Sequence, residues 1–208
     1  EIVFVKDDIV NFTDEATKLT VNVGEELRPG AINVNSSKNY TISGNGYIMT
    51  GSLTKEGTGT LTISTENEYT GGNYLQGGTV KVNVLANDVK AKGNLGAVTT
   101  GAAKFTMENG ATIQTAATVT NGSPIKLIGD EGGAINAGAG MDFIQDKAFT
   151  GTLLTKKGTG WLKTYATGAN LNKLVVEQGR VISYNGIPAK AIELRGGELQ
   201  DGTGAGIS

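Results

Sequence analysis

Hydrophobic and polar positions alternate along almost the whole chain. Leu19, Val21 and Val23 are separated by Thr20 and Asn22, and Ile32 and Val34 by Asn33. The same period of two recurs at Leu61/Ile63, Val80/Val82/Val84, Phe105/Met107, Ile125/Leu127 and Ile192/Leu194. Side chains that share a face at every second position mark half-buried strands, here of about four to six residues each. The one helical candidate, residues 14–18, spans about one turn. Between the strands an apolar residue leads into polar residues and Gly, then back to an apolar residue. Such bends fall at 42–48, 75–80, 107–113, 128–135, 176–181 and 194–199. Gly and Asn accept positive φ, so each bend can turn the chain sharply.

Two architectures use such bends: antiparallel hairpins, and the corners of a parallel solenoid. The marker glycines Gly46, Gly78 and Gly110 are 32 residues apart, and Gly133 and Gly179 follow at 23 and 46. Steps of 23 and 46 suit one coil and two, and steps of 32 suit a coil that carries a loop. Hairpins require no such spacing, so the solenoid is the preferred reading.

A longer repeat strengthens it. Leu53-Thr54-Lys55-Glu56-Gly57-Thr58-Gly59-Thr60-Leu61 returns as Leu154-Thr155-Lys156-Lys157-Gly158-Thr159-Gly160-Trp161-Leu162. The frame holds downstream, where Gly78-Thr79-Val80 returns as Gly179-Arg180-Val181. Related units therefore span about 51–84 and 152–185. Repetition of this kind implies stacked units that bury apolar faces against one another. Leu61, Ile63 and Leu162 are expected to point inward and Thr60 and Thr62 outward. Gly57-Gly59 and Gly158-Gly160 are expected to form equivalent corners, and Asn33, Asn35, Asn39 and Asn45 to stack or cap at corners. With about 22 residues per coil the chain makes about nine coils, a rod near 40 Å long at ~4.8 Å per coil.

The first repeat resembles the autotransporter-associated β-strand repeat of bacterial surface proteins. The resemblance rests on residues 53–63, then Asn67, Tyr69-Thr70-Gly71-Gly72, Gly78-Thr79-Val80 and Asn94-Leu95-Gly96-Ala97-Val98. The second unit keeps the Lys-x-Gly-x-Gly core but has Asn170-Leu171-Asn172-Lys173 in place of Tyr-Thr-Gly-Gly. It implies an all-β, right-handed parallel β-helix, and a secreted or cell-surface, outer-membrane-associated location in a bacterium. Its members occur in autotransporter passengers, adhesin-like proteins and secreted polysaccharide-degrading proteins. It supplies no catalytic residues. Residues 1–208 are read as a single β-helical domain. The tail from Asp201 to Ser208 has no capping pattern, so the chain is expected to be a segment of a larger protein, ahead of a self-assembling unit.

Composition narrows the chemistry. The 32 glycines, without a collagen period, signal turns. His and Cys are absent, which removes His-based zinc sites, Ser-His-Asp and Cys-His catalysis, and disulfides. Basic and acidic residues nearly balance at 18 and 20, so nothing favours nucleic acid. No apolar run approaches the ~20 residues of a membrane-spanning helix. No metal site or cofactor is expected.

Two function classes remain. The first is a non-catalytic stalk, adhesin-like surface or carbohydrate-contacting segment, with glycans, a host or cell-surface protein, or adjacent coils of a larger chain as partners. The alternative is part of a polysaccharide lyase or glycoside hydrolase. Its best carboxylates are Asp142 and Asp146, with Lys147 nearby, but no acidic pair has the density of a calcium loop. The balance goes against an enzyme. For binding, the second repeat is informative: Thr60, Thr62 and Ser64 become Trp161, Lys163 and Tyr165, which share an outward face. Tyr69 and Tyr74, beside the other loop, are weaker binding candidates.

Overall fold

A computed structural model describes residues 5–98, 104–186 and 189–202. The chain is an all-β parallel solenoid, elongated and, among the described residues, without helices. Among the described residues nine coils follow one another. The first holds β1 (Ile9–Phe12), β2 (Thr20–Asn22) and β3 (Glu26–Leu27), and the second β4 (Ala31–Asn35), β5 (Tyr40–Ser43) and β6 (Tyr47–Ile48). The third has β7 (Leu53–Glu56) and β8 (Thr60–Ile63), and the fourth β9 (Asn73–Leu75) and β10 (Thr79–Val82). The fifth contributes β11 (Phe105–Met107), β12 (Ala111–Thr115) and β13 (Val119–Asn121). In the sixth are β14 (Ile125–Leu127), β15 (Gly133–Asn136) and β16 (Asp142–Gln145). The last three carry β17 (Phe149–Lys157) with β18 (Trp161–Thr164), β19 (Asn170–Val176) with β20 (Arg180–Ser183), and β21 (Ala189–Leu194) with β22 (Glu198–Asp201).

Among the described residues every strand pair is parallel and joins one coil to the next, giving three ladders along the rod and a short separate pair, β3-β6, between the first two coils. The first runs β1-β4-β7-β9-β11-β14 into the front half of β17. The second runs β2-β5-β8-β10-β12-β15 into its rear half. The third holds β13-β16-β18-β20-β22. The partners Leu174↔Ile192 and Ile125↔Phe149 set coils of 18 and 24 residues. Asn73↔Phe105 sets a longer coil of 32, which carries the loop around Asn94. That loop explains the step from Gly78 to Gly110, since Thr112 N donates to Gly78 O in the coil before. Gly46 stands at a different corner, so the earlier step of 32 is not a coil. Gly133 opens β15 of the second ladder whereas Gly179 precedes β20 of the third, so their 46-residue step is not two coils.

The inward positions form one continuous core, with Leu61, Ile113, Ile125, Ile135, Phe143, Leu154 and Leu162 all at most 1% exposed. Thr60 and Thr62 stand outside it, as the alternation requires. Asparagines bond along the stack: Asn33 Nδ2 donates to Asn11 Oδ1 at 3.0 Å, and Asn39 Oδ1 accepts Thr60 N at 2.8 Å. Residues 14–18 form a turn, not a helix. The Asp14 carboxylate accepts hydrogen bonds from Ser36 Oγ and from Ser37 N at 2.8 Å in the next coil, a use of Asp that competes with helix. Residues 203–208 of the tail lie outside the described residues.

The long repeat encodes a corner built on a buried lysine. Lys55 Nζ donates to Glu56 O at 2.5 Å, Gly57 O at 3.1 Å and, one coil on, Gly77 O at 3.5 Å. Lys156 Nζ repeats this with Lys157 O and Gly158 O at 2.7 Å and Gln178 O at 3.3 Å. Each ammonium thus satisfies carbonyls that a sharp bend leaves without ladder partners. Gly57 and Gly158 have φ of 69° and 72°, and a Cβ there would stand 2.5 Å from Ser36 O and 2.3 Å from Ala137 O. Glycine is required on both counts.

The two corners match in their bonding but lie on different edges of the rod. Four coils after Leu53 the first ladder has reached Phe149, and Leu154 lies further along the chain, in the second ladder. The strand after the first corner, β8, therefore belongs to the second ladder, and β18 after the second corner belongs to the third.

Candidate functional site

Because β18 sits in the third ladder, its outward residues meet those of β16 and β20. The register aligns Asp142 with Trp161 and Arg180, and Ile144 with Lys163 and Ile182. The inward residues between them are Phe143, Leu162 and Val181, each at most 1% exposed, and they fix the face by anchoring it to the core.

Trp161 is 40% exposed and Tyr165 42%, two of the three exposed aromatic residues among those described. Lys163 Nζ lies 4.9 Å from the Trp161 ring centroid and 2.6 Å from Asp142 Oδ2. Arg180 approaches the same ring at 5.3 Å, and its guanidinium donates to Glu198 Oε2 at 2.9 and 2.6 Å and to Gln200 Oε1 at 3.0 Å. Cation–π contacts at partly exposed sites contribute about 0.5–1 kcal/mol each, so two of them hold the indole in place. Tyr165 stacks on Tyr184 with centroids 4.2 Å apart and planes 7° from parallel. Its hydrogen bond with the Tyr184 hydroxyl, then burial, pushes the Tyr165 phenol up from its ordinary value. Beside Trp161 the corners at 140–142 and 159–161 leave an open groove of ≈ 340 Å³, lined by Gly140, Met141, Asp142, Thr159, Gly160 and Trp161.

The structure thus joins two sets of residues that the sequence presented as rival sites. Asp142 belongs to the face of Trp161, Lys163 and Tyr165 through its ion pair with Lys163. Asp146 lies just past the end of that strand, and four residues of near-extended chain set the two Cα atoms roughly 13 Å apart. Asp142 is turned to Lys163, and no hydrogen bond joins its carboxylate to Asp146 among the described residues. Among the described residues no group of three acidic side chains is placed to hold a metal ion.

Tyr74 projects from the first ladder, 47% exposed, in line with Thr54 and Thr106 and apart from the aromatic face. Tyr69 is a correction. It is 3% exposed, its hydroxyl donates to Asn73 Oδ1 at 2.7 Å, and the Lys104 ammonium sits 4.5 Å from its ring centroid. The loop containing Asn94-Leu95-Gly96 folds over it: Asn67 Nδ2 donates to Asn94 O at 2.7 Å, and Asn73 Nδ2 to Leu95 O at 3.1 Å. The conspicuous Asn and Tyr of the first repeat are thus buried corner parts, and Tyr69 has no face to offer a ligand. Sequence reading missed Arg180 and Tyr184. The signal was available one coil downstream, where the register puts Arg180 beside Trp161.

No protein-family model matches the chain. No solved structure matches it. The parallel solenoid with its repeated corners is of the kind found in autotransporter and adhesin-like repeat proteins. In sequence the chain is similar to the adhesin BmaC autotransporter of Brucella suis biovar 1 (strain 1330), with 33% identity over 139 residues. That match covers 62% of this chain and 4% of the relative, so the chain spans a small part of its relative's length.

Proposed function

We propose that this chain is a non-catalytic, adhesin-like stretch of β-solenoid in a secreted or surface-exposed bacterial protein. In this reading the rod holds the face of Trp161, Lys163 and Tyr165 against a glycan or a cell-surface protein, and further coils of a longer chain carry it away from the cell. The observation that supports it most is the gathering of Trp161, Tyr165 and Tyr184 with Lys163 and Arg180 on one outer side of a rigid ladder. Aromatic and Arg side chains are the usual anchors of contact surfaces, since they bring large area at low entropic cost. The relative's printed name, an adhesin, agrees with it.

The test is binding of the purified chain to a glycan array and to whole cells, with a Trp161→Ala, Tyr165→Ala variant alongside. The variant should keep its circular dichroism and lose binding by about tenfold or more, the loss typical of removing contact anchors. Binding equal to the unaltered chain would move the site elsewhere on the rod. Release of unsaturated or reducing ends from a polysaccharide, abolished by Asp142→Asn, would replace this reading with a catalytic one.

A further inference from the structure

We infer that the groove beside Trp161 is a subsite for one neutral pyranose residue of a glycan. The inference rests on the adhesin-like reading and narrows its ligand.

The argument begins with the two flanks of the indole. On one side lies β20, whose Arg180 packs against the ring and is held there by Glu198 and Gln200. On the other lies the corner before β16, and there the groove opens. Its volume of ≈ 340 Å³ falls at the small end of the ~300–1,000 Å³ usual for small-molecule sites, enough for a single sugar ring. Gly140 borders it, and the space beside that residue is open: nothing lies within 4 Å of where a Cβ would stand. The indole supplies a flat apolar wall, which suits the C–H face of a pyranose. Asp142 accepts hydrogen bonds and Thr159 both accepts and donates, which suits the hydroxyls at the sugar's edge.

Charge selects the class. Lys163 is neutralised by Asp142 at 2.6 Å, and Arg180 by Glu198 at 2.6 Å. Neither cation is left over for a carboxylate. An acidic sugar would give up hydration of its charge in the groove and gain no free counter-charge there, so neutral sugars are favoured over uronic acids.

The chain carries one tryptophan, so its fluorescence reports on this groove alone. The experiment titrates the whole chain with methyl glycosides of gluco, galacto and manno configuration up to roughly 100 mM, a range that covers millimolar affinity. The corresponding uronic acids are run at matched ionic strength. We expect a saturable change in emission with at least one neutral glycoside and a weaker response to its uronate. Asp142→Asn should weaken binding by about tenfold or more, the loss expected for a hydrogen bond to a charged group. Thr159→Phe, a change at an exposed position, should fill the groove and abolish the response while the circular dichroism stays the same. Flat titrations with all neutral glycosides, tighter binding of the uronate, or an unchanged response in Thr159→Phe would each overturn the inference. Flat titrations together with retained cell binding that depends on Trp161 and Tyr165 would leave the adhesin-like reading standing, with a protein as its partner.

Discussion

Lys156 shows how a residue's chemistry can be hidden by its reputation. It is fully buried, stacked between Ile135 and Val176, and among the described residues its ammonium hydrogen-bonds to backbone carbonyls and to no carboxylate. Lysine is rarely buried without an acidic partner. What the ammonium finds instead is three corner carbonyls. Replacing Lys156 by Ala should cost about 2–4 kcal/mol in urea denaturation, from lost packing of the stem and stranded carbonyls together. Lys156→Met should recover the part due to the stem. Leu61→Ala and Leu162→Ala belong to the ordinary class and should cost about 2–5 kcal/mol each. Burial also pushes the Lys156 and Lys104 ammonium groups down to about 8 from 10.5. A folded-state value below the unfolded one penalises folding while the group is charged in both states. That penalty is complete below about pH 8 and fades as pH rises to 10.5, so stability from these groups increases across that window. The melting temperature measured between pH 8 and 10.5 should therefore rise more in the unaltered chain than in Lys156→Met.

Among elements, strands were easier to read than corners. A strand announces itself by alternation, which is local, and Leu61, Ile63 and Leu162 point where alternation puts them. Corners depend on what the neighbouring coil presents. Gly158 and Gly168 have the same φ of 72°, yet a Cβ at Gly158 would strike Ala137 O at 2.3 Å whereas at Gly168 it meets nothing within 4 Å. Gly168→Ala should cost only the ~1–2 kcal/mol of left-handed backbone, and Gly158→Ala distinctly more, read from paired chemical melts. The same dependence hid Tyr69, covered by a loop far along the chain, and the pairing of Asp142 with Lys163. That pair spans 21 residues, one coil, as do the shorter spans of 18 for Arg180 with Glu198 and 20 for Lys173 with Glu193. Opposite charges one coil apart were visible in the sequence, but only once the coil length was known. The outward aromatic face was legible because it needs alternation alone. Its neighbours on β20 needed the register.

For the whole molecule, nearly all contacts join neighbouring coils, as expected of a quasi-one-dimensional stack. The last three coils are built differently. The strands β17, β19 and β21 run through two ladders without a break, which fuses those ladders into one sheet of 15 strands. The second repeat lacks Tyr-Thr-Gly-Gly in this region, and with it the buried Tyr and Asn that shape the equivalent bend in the first. A change of register between repeat and rod has a further effect: the same short corner, copied along the chain, turns up on successive edges, so its outward side chains face different directions. Trp161 owes its position to that rotation.

Several lysines join one coil to the next. Lys55 reaches Gly77 O, Lys156 reaches Gln178 O, and Lys104 reaches back to Tyr69 O at 2.8 Å and Gly71 O at 2.6 Å. Seen as a mechanical part, each is a pawl between turns of a spring. Tension applied at the two ends would peel the rod from its tips, turn by turn, with each turn of about 20 residues releasing roughly 65–70 Å of thread. Turns held by a pawl should let go at higher load than turns without one. Single-molecule pulling ought then to give a sawtooth of near-even teeth with a few tall ones, and Lys104→Met and Lys156→Met should each shorten one of them. A tether under flow would gain from such a profile, because slack is surrendered in small measured lengths and the tether does not part at once.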